Sequence, residues 1–590
     1  MNECQSLILS EDAKDYIIRY NSDAYRRLAG VKEACVQCLD ETWCIAHTSG
    51  NTDIDRLISD SGYYSIPKLY GLMQSDSSNY DESGITSTLN QSNLNVRGQG
   101  VIIGFIDTGI DYTLDIFMYA RNRSKILAIW DQTIQEEQAG NETISGENAG
   151  QINSDYSYLT SMGRFNYGKV YETDVINNAL EKMSAGESPY KYVPSVDDNG
   201  HGTFMAGIAA GSQTKAFMGA APDAQLVVVK LKQAKQYLRD YYLIRNDIEA
   251  YEESDIMAGI RFLRYIALKE NKPLVICLGV GTASGSRMGL TPLASMLNSM
   301  ALRNNIVVVT PVGNEGNART HISGRAADED NSWMDISVGD NVEGFSLEIW
   351  ADAFDILSVS FVSPSGQVIP RILVRVGQSS EFKFLLENTT VSIDYRIAET
   401  VSGYEVIFIR FLAPSEGVWK IRAYSIAGIS GAFNAWLQLK DFIKGEVFFL
   451  RSEPDTTLTE PSAAFSPISV GAYNHITGGI AVDSGRGYTS DGRVKPDIVA
   501  PGVNVYGPAA GGGFILKSGT SISAAHTAGA AALFLTWGVY YGNDILMTNS
   551  KIKTILIRGA TRDTDRQYPD NVWGYGKLNV IESFLQLRLV

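Results

Sequence analysis

VIIGFIDTGID (101–111) decides the fold. An apolar run without a polar break ends on Asp107, and Gly109 stands in the turn that follows. A strand that is apolar on both faces is buried on both, which is the mark of a parallel sheet covered by helices. AQLVVVKL (224–231), PLVICLGV (273–280) and NIVVVTPVG (305–313) have the same texture, with helix-length segments such as Ile248 to Lys269 between them. The expected fold is α/β, a doubly wound parallel sheet. A carboxylate at the carboxyl end of one of its strands stands where open α/β sheets place their sites.

Two further segments supply partners for Asp107. In DDNGHGTFMAGIAAG (197–211), His201 is followed by a run of small residues, which predicts a closely packed helix with His201 in its first turn. In SGTSISAAHTAGAAALF (518–534), Ser521 opens a second small-residue helix, whose N-terminus aims free N–H groups at any negative charge beside the serine. Serine needs a base to take its proton, histidine is that base near neutral pH, and aspartate holds the imidazole in the right tautomer. Asn314, between glycines in TPVGNEGN (310–317), offers a side-chain donor for an oxyanion. Any one of these residues alone reads as a buried aspartate, a core histidine or a helix cap; the set, in the order Asp, His, Ser, is specific. A dinucleotide fingerprint in RGQGVIIG fails, because Gly98 and Gly100 precede the strand.

On these segments the chain resembles the subtilases, the subtilisin-like serine peptidases of family S8. The resemblance rests on DTGID, HGT, PVGNEGN, KPDIVAPGVNV (495–505) and GTSISAAHTAG, and covers roughly residues 95–325 and 460–585. IPKLYGL (66–72), NVRGQGV (95–101), IWDQT (129–133), IRGATRD (557–563) and WGYGKLNV (573–580) are similar to the Csp-type germination proteases of Clostridia. The resemblance implies a serine endopeptidase working through an acyl-enzyme, with Asp107, His201 and Ser521 as triad and Asn314 at the oxyanion. In VICLGVG (275–281) it implies that Gly279, Val280 and Gly281 bind the substrate backbone. It also implies a short prodomain, autoprocessing, and activation of a protein precursor in spores. Ala525 stands where the family usually has proline, Phe204 where a histidine is common, and Cys277 and Gly279 where Asn and Ser are usual. These departures bear on substrate preference, not on the chemistry.

Four parts are expected. Residues 1–74 form a small α+β prodomain and cleavage segment, residues 75–327 and 451–590 form the catalytic domain, and residues 328–450 form an inserted antiparallel jelly roll. The first part contains the strand-like DYIIRY, a hairpin in ACVQCLDETWCIAHT and a helix over Asp53 to Ser61. SIPKLYGLMQ (65–74) is extended and can lie in the groove as an added strand against Val280-Gly281. The polar Ser75 to Ser92 reads as a linker, and the cut is expected after Met73 or Gln74. A cut after Met73 puts Tyr70 four residues upstream, where the resemblance implies an aromatic. In the insertion, SLEIWA, LSVSFVS, YEVIFIRFL and VWKIRAYSI alternate apolar and polar as sandwich strands do.

A net charge of −16 disfavours nucleic acid and anionic membrane as partners. No apolar run reaches the roughly 18 residues of a spanning segment, and MNECQSLILSEDAKDY lacks the basic start of a secretory signal. Cytoplasmic synthesis follows, with spore association implied by the resemblance. The expected partners are a protein or peptide substrate and the chain's own prodomain. Five cysteines in 590 residues do not make a disulfide framework, and Cys35-x-x-Cys38 with Cys44 reads as structural. His47, His321, His475 and His526 lack metal-ligand spacing, and no cofactor or metal is expected. Two other readings compete. One is a catalytically idle subtilase fold used as a regulatory binding protein, against which the intact triad argues. The other is an envelope or carbohydrate binder acting through the insertion's aromatics, which the strand alternation assigns first to the core.

Overall fold

The computed structural model describes residues 3–20, 34–49, 64–73, 83–91, 94–119, 123–134, 165–326, 332–352, 354–374, 379–396, 399, 402–427 and 430–587. At its centre lies an eight-stranded sheet. Its spatial order is Lys169–Glu172, Ile126–Asp131, Gln225–Lys230, Ile102–Asp107, Leu274–Leu278, Ile306–Pro311, Ile468–Tyr473 and Ile498–Pro501. All neighbours are parallel except the first pair, which is antiparallel.

The continuous apolar runs exist because each strand feeds two cores. Ile103, Phe105, Val228, Val275 and Val307 pack on one face with the helices His201–Ala210 and Thr520–Leu535. Ile102, Ile106, Val227, Leu274 and Ile276 pack on the other with Glu253–Lys269 and Pro292–Ala301. The expected helix from Ile248 thus begins at Glu253, after the short strand Tyr251–Glu252. One stretch does reach spanning length, contrary to expectation. The helical stretch Thr520–Tyr540 is 21 residues long with mean hydropathy 1.3, but 83% of its apolar window is buried inside the protein, where it serves as the core helix.

The N-terminal unit is a four-stranded antiparallel sheet in the order Ala34–Cys38, Trp43–Thr48, Lys14–Arg19 and Tyr64–Ser65. Leu39, Trp43, Ile45 and Ile17 join the second core of the main sheet. The expectation of no disulfide framework is corrected here, for Cys4 pairs with Cys35 and Cys38 with Cys44, while Cys277 is free and buried. Cys38 and Cys44 face each other directly across the hairpin register, which brings their side chains together. The helix expected over Asp53 to Ser61 lies outside the described residues, as do Gln74 and the polar residues just after it. Within the expected linker, Ile85–Leu89 is a short helix, with Ile85 and Thr88 buried.

Two antiparallel sheets interrupt the α/β domain and share one apolar core that includes Phe345, Ile409, Trp419 and Phe449. The six-stranded sheet begins with His321–Arg325, ahead of the expected start at 328, and the five-stranded sheet ends with Val447–Phe449.

Candidate active site

Asp107 ends the strand Ile102–Asp107, His201 begins its helix, and Ser521 lies in the first turn of Thr520–Leu535. The three are 1%, 1% and 0% exposed, so the site is covered. His201 Nδ1–H donates to Asp107 Oδ1 at 2.6 Å, and Nε2 lies 3.0 Å from Ser521 Oγ as acceptor of its hydroxyl proton. Asp107 Oδ1 also accepts the Thr108 N–H at 2.8 Å. Asp197 fixes the approach of the histidine helix by accepting from Thr108 Oγ1, the Gly200 N–H, and the Thr203 N–H and Oγ1. Gly202 is required there, because a Cβ on it would lie 2.2 Å from the Gly109 carbonyl oxygen.

Asn314 directs its Oδ1 at Thr520, accepting from N at 3.2 Å and Oγ1 at 3.0 Å. Its buried Nδ2 has no partner among the described residues. A buried amide donor without an acceptor is costly unless something else occupies it during function.

The groove beside Ser521 is filled by the chain itself. Leu69–Leu72 is the middle strand of a three-stranded sheet. On one side Leu72 and Gly71 pair antiparallel with Val280 and Gly281, and on the other Tyr70 and Leu69 pair with Tyr251 and Glu252. The next residue continues the register, with the Met73 N–H donating to the Gly279 carbonyl at 3.0 Å. The Met73 carbonyl then accepts from the Ser521 N–H at 3.3 Å. Gly279, Val280 and Gly281 thus meet the chain's own extended segment Gly71 to Met73. Gly279 has a second part in the site, because a Cβ there would lie 2.5 Å from Asp107 Oδ2 and 2.7 Å from His201 Cε1.

Thr459 was missed in the sequence. A Cβ on Gly281 would meet its Oγ1 at 2.6 Å, and one on Gly313 its Cγ2 at 2.4 Å. The Thr459 N–H donates to the Val312 carbonyl, and Glu460 exchanges backbone hydrogen bonds with Thr282. This segment therefore ties together the two glycine walls beside Ser521. It follows the insertion in the chain, so no local pattern links it to the site.

The other histidines lie in local packing. His47 bonds Asp15, His321 stacks on Trp436 and bonds Asn434, and His526 Nδ1 lies 3.2 Å from the Pro501 carbonyl. Among the described residues no group of three or more His, Cys, Asp or Glu is arranged to hold a metal ion.

The profile of the Subtilase family matches residues 98–381 and 449–576. The solved structure of the Clostridium perfringens CspB protease superposes with a TM-score of 0.71 at 28% identity, over 86% of this chain and 98% of that one. Pyrolysin from Pyrococcus furiosus is 35% identical over 130 residues, which is 20% of this chain and only 9% of that protein's length. The gap in the family match, from 382 to 448, falls inside the β-sandwich. The chain belongs to the subtilase family of serine peptidases.

Proposed function

We propose that the chain is a serine endopeptidase that acts on protein or peptide substrates and first cuts its own chain after Met73. The observation that carries this is the hydrogen bond from the Ser521 N–H to the Met73 carbonyl, in register with the backbone pairing at Gly279, Val280 and Gly281. It supports Met73 as the residue whose carbonyl is attacked.

The steps follow from the distances. Ser521 Oγ adds to the Met73 carbonyl carbon as His201 Nε2 takes its proton, and Asp107 stabilises the imidazolium that forms. The developing oxyanion is held by the Ser521 N–H and by the unpaired Asn314 Nδ2. On collapse, His201 returns the proton to the leaving amine of Gln74, and water then hydrolyses the acyl-enzyme. The Met73 side chain is buried in the apolar cluster that includes Leu69, Ala283, Leu439 and Phe442.

On this reading residues 1–73 are a prodomain and a partner of the mature enzyme, and the inserted sandwich is a jelly roll. Contacts of the N-terminal unit support its docking. Asp15, buried, pairs with Lys235 at 2.7 Å and His47 at 2.6 Å. Burial pushes the Asp15 carboxyl up, but His47 and Lys235 outweigh it and hold the group well below the usual carboxylate range. Likeness to the CspB protease supports proteolysis as the activity, and limited proteolysis of a protein precursor is the narrower role we propose with it.

Intact mass and N-terminal sequencing of wild type and Ser521→Ala test the proposal. Wild type should begin at Gln74, and the variant should remain full length. An uncut wild type that is active, or a variant cut at the same bond, sinks autoprocessing. Failure of Ser521 to take a fluorophosphonate, in a folded protein cleared of residues 1–73, would favour the idle binding protein.

A further inference from the structure

Upstream of Leu69 the N-terminal segment does not leave the protein. The Lys68 carbonyl accepts the Glu253 N–H at 2.9 Å, and the Lys68 N–H donates to Glu253 Oε2 at 3.2 Å. Farther back, Ser65, Ile66 and Lys68 line an open cleft. One wall is Tyr241, at the end of the helix Gln236–Tyr242, with Thr291 and Pro292 at the start of Pro292–Ala301. The other wall comes from the inserted sandwich: Glu348, Trp350, Arg396 and Phe408.

The two walls are bonded to each other. Tyr241 stacks on Phe408 with ring centroids 5.5 Å apart, and the Arg410 guanidinium lies 4.8 Å over the Tyr241 ring. Glu348 Oε2 accepts the Gly285 N–H and the Trp350 Nε1–H, both at 2.8 Å. Gly285 lies in the loop that follows Val280-Gly281, so the sandwich holds the loop that leaves the substrate-pairing strand. The cleft carries a matched charge as well, for Lys68 Nζ lies 3.9 Å from the buried Glu253 carboxylate, with Glu348 and Glu399 on the lining.

We propose that the inserted sandwich builds a distal substrate subsite, so that the enzyme selects protein substrates by residues six to nine positions upstream of the bond it cuts. The occupant is an extended peptide, apolar eight positions upstream as Ile66 is and basic six upstream as Lys68 is. The proposal rests on the reading that Met73 precedes the cut bond. Binding energy from residues so far from the reacting carbonyl reaches kcat as well as KM, because it holds the whole strand in register.

The test uses processed enzyme whose competent sites are counted by fluorophosphonate labelling. Two quenched peptides are compared, one carrying YGLM before the cut and one carrying SIPKLYGLM. Wild type should cleave the longer with kcat/KM about tenfold higher, and Trp350→Ala and Arg396→Ala should each bring that ratio close to one. Tyr241→Ala, on the opposite wall, guards against a sandwich variant that fails to fold. A ratio near one in wild type, or an unchanged ratio in all three variants, overturns the subsite while leaving the cut after Met73 intact. If labelled enzyme cleaves neither peptide after Met, the register reading falls and the subsite with it.

Discussion

The Met73 carbonyl accepts a hydrogen bond from the Ser521 N–H at 3.3 Å, and among the described residues the buried Asn314 Nδ2 has no partner. On the proposed mechanism the first donor engages the carbonyl in the ground state and the second serves the oxyanion. Asn314→Ala should lower kcat about 10²–10³-fold with little change in KM, a range carried over from a subtilisin asparagine in this role. Steady-state kinetics on a quenched peptide carrying SIPKLYGLM before the cut checks it, and a pure KM effect would show that Asn314 only binds substrate.

Gly279→Ala should damage the chemistry although Asp107, His201 and Ser521 are all retained. The added Cβ would stand 2.5 Å from Asp107 Oδ2, 2.5 Å from Met205 Sδ and 2.7 Å from His201 Cε1. Something must shift, and a displacement of about 1 Å in such a site costs about 10²-fold. The readout is kcat with fluorophosphonate labelling rate, both of which should fall while Tm stays close to wild type. Unchanged labelling would mean that the Asp107–His201 pair absorbs the methyl group.

Gly71→Val should slow self-cleavage. A Cβ at Gly71 already meets Phe442 Cε1 at 3.0 Å and Leu439 Cδ1 at 3.1 Å, and both side chains are buried. The two further methyl groups of valine push the strand away from Val280-Gly281. Full-length chain should accumulate in the variant over the time in which wild type is processed. Processing at the wild-type rate would show that the strand need not hold its observed register.

Glu315, next to Asn314, makes stability depend on pH. Burial pushes its carboxyl up to about 7, with Asp441 adding to the rise and Lys440 opposing it. A folded pKa above the unfolded value means the folded state binds the extra proton. The contribution is present below about pH 4.5 and is lost as pH rises through about 7. Glu315→Gln keeps an oxygen to accept the Lys440 N–H and carries no charge. It should therefore unfold at higher denaturant than wild type at about pH 8, by up to about 3 kcal/mol, and converge with it near pH 4. A constant gap between the two across that range would mean that Glu315 does not titrate there.

The parallel sheet and the clustering of Asp107, His201 and Ser521 were legible in the sequence because their signals are local. Asp107 ends an apolar run, and His201 and Ser521 each open a helix of small residues. Val280 and Gly281 pair with Leu72 and Gly71 as the extended SIPKLYGLMQ suggested. Thr459 was illegible, because its place between Gly281 and Gly313 arises only when the chain returns from the sandwich. The disulfides were hidden by averaging. Five cysteines look sparse over 590 residues, yet four of them lie at or before position 44, inside one small unit. Ile85–Leu89 was read as linker because it lies within the polar run from Ser75 to Ser92. Its Ile85 is buried instead in the core it shares with Val580 and Phe584 of the C-terminal helix.

Gly313 lies so close to Thr459 that a Cβ on it would stand 2.4 Å from Thr459 Cγ2, yet the whole sandwich lies between them in the chain. Asp107, His201 and Asn314 all precede that excursion and Ser521 follows it. On the proposed reading, replacing the stretch from His321 to Glu460 as a single cassette would exchange Thr459 and the far wall of the cleft together and leave Asp107, His201, Asn314 and Ser521 in place. Distal preference and bond cleavage are then separately heritable.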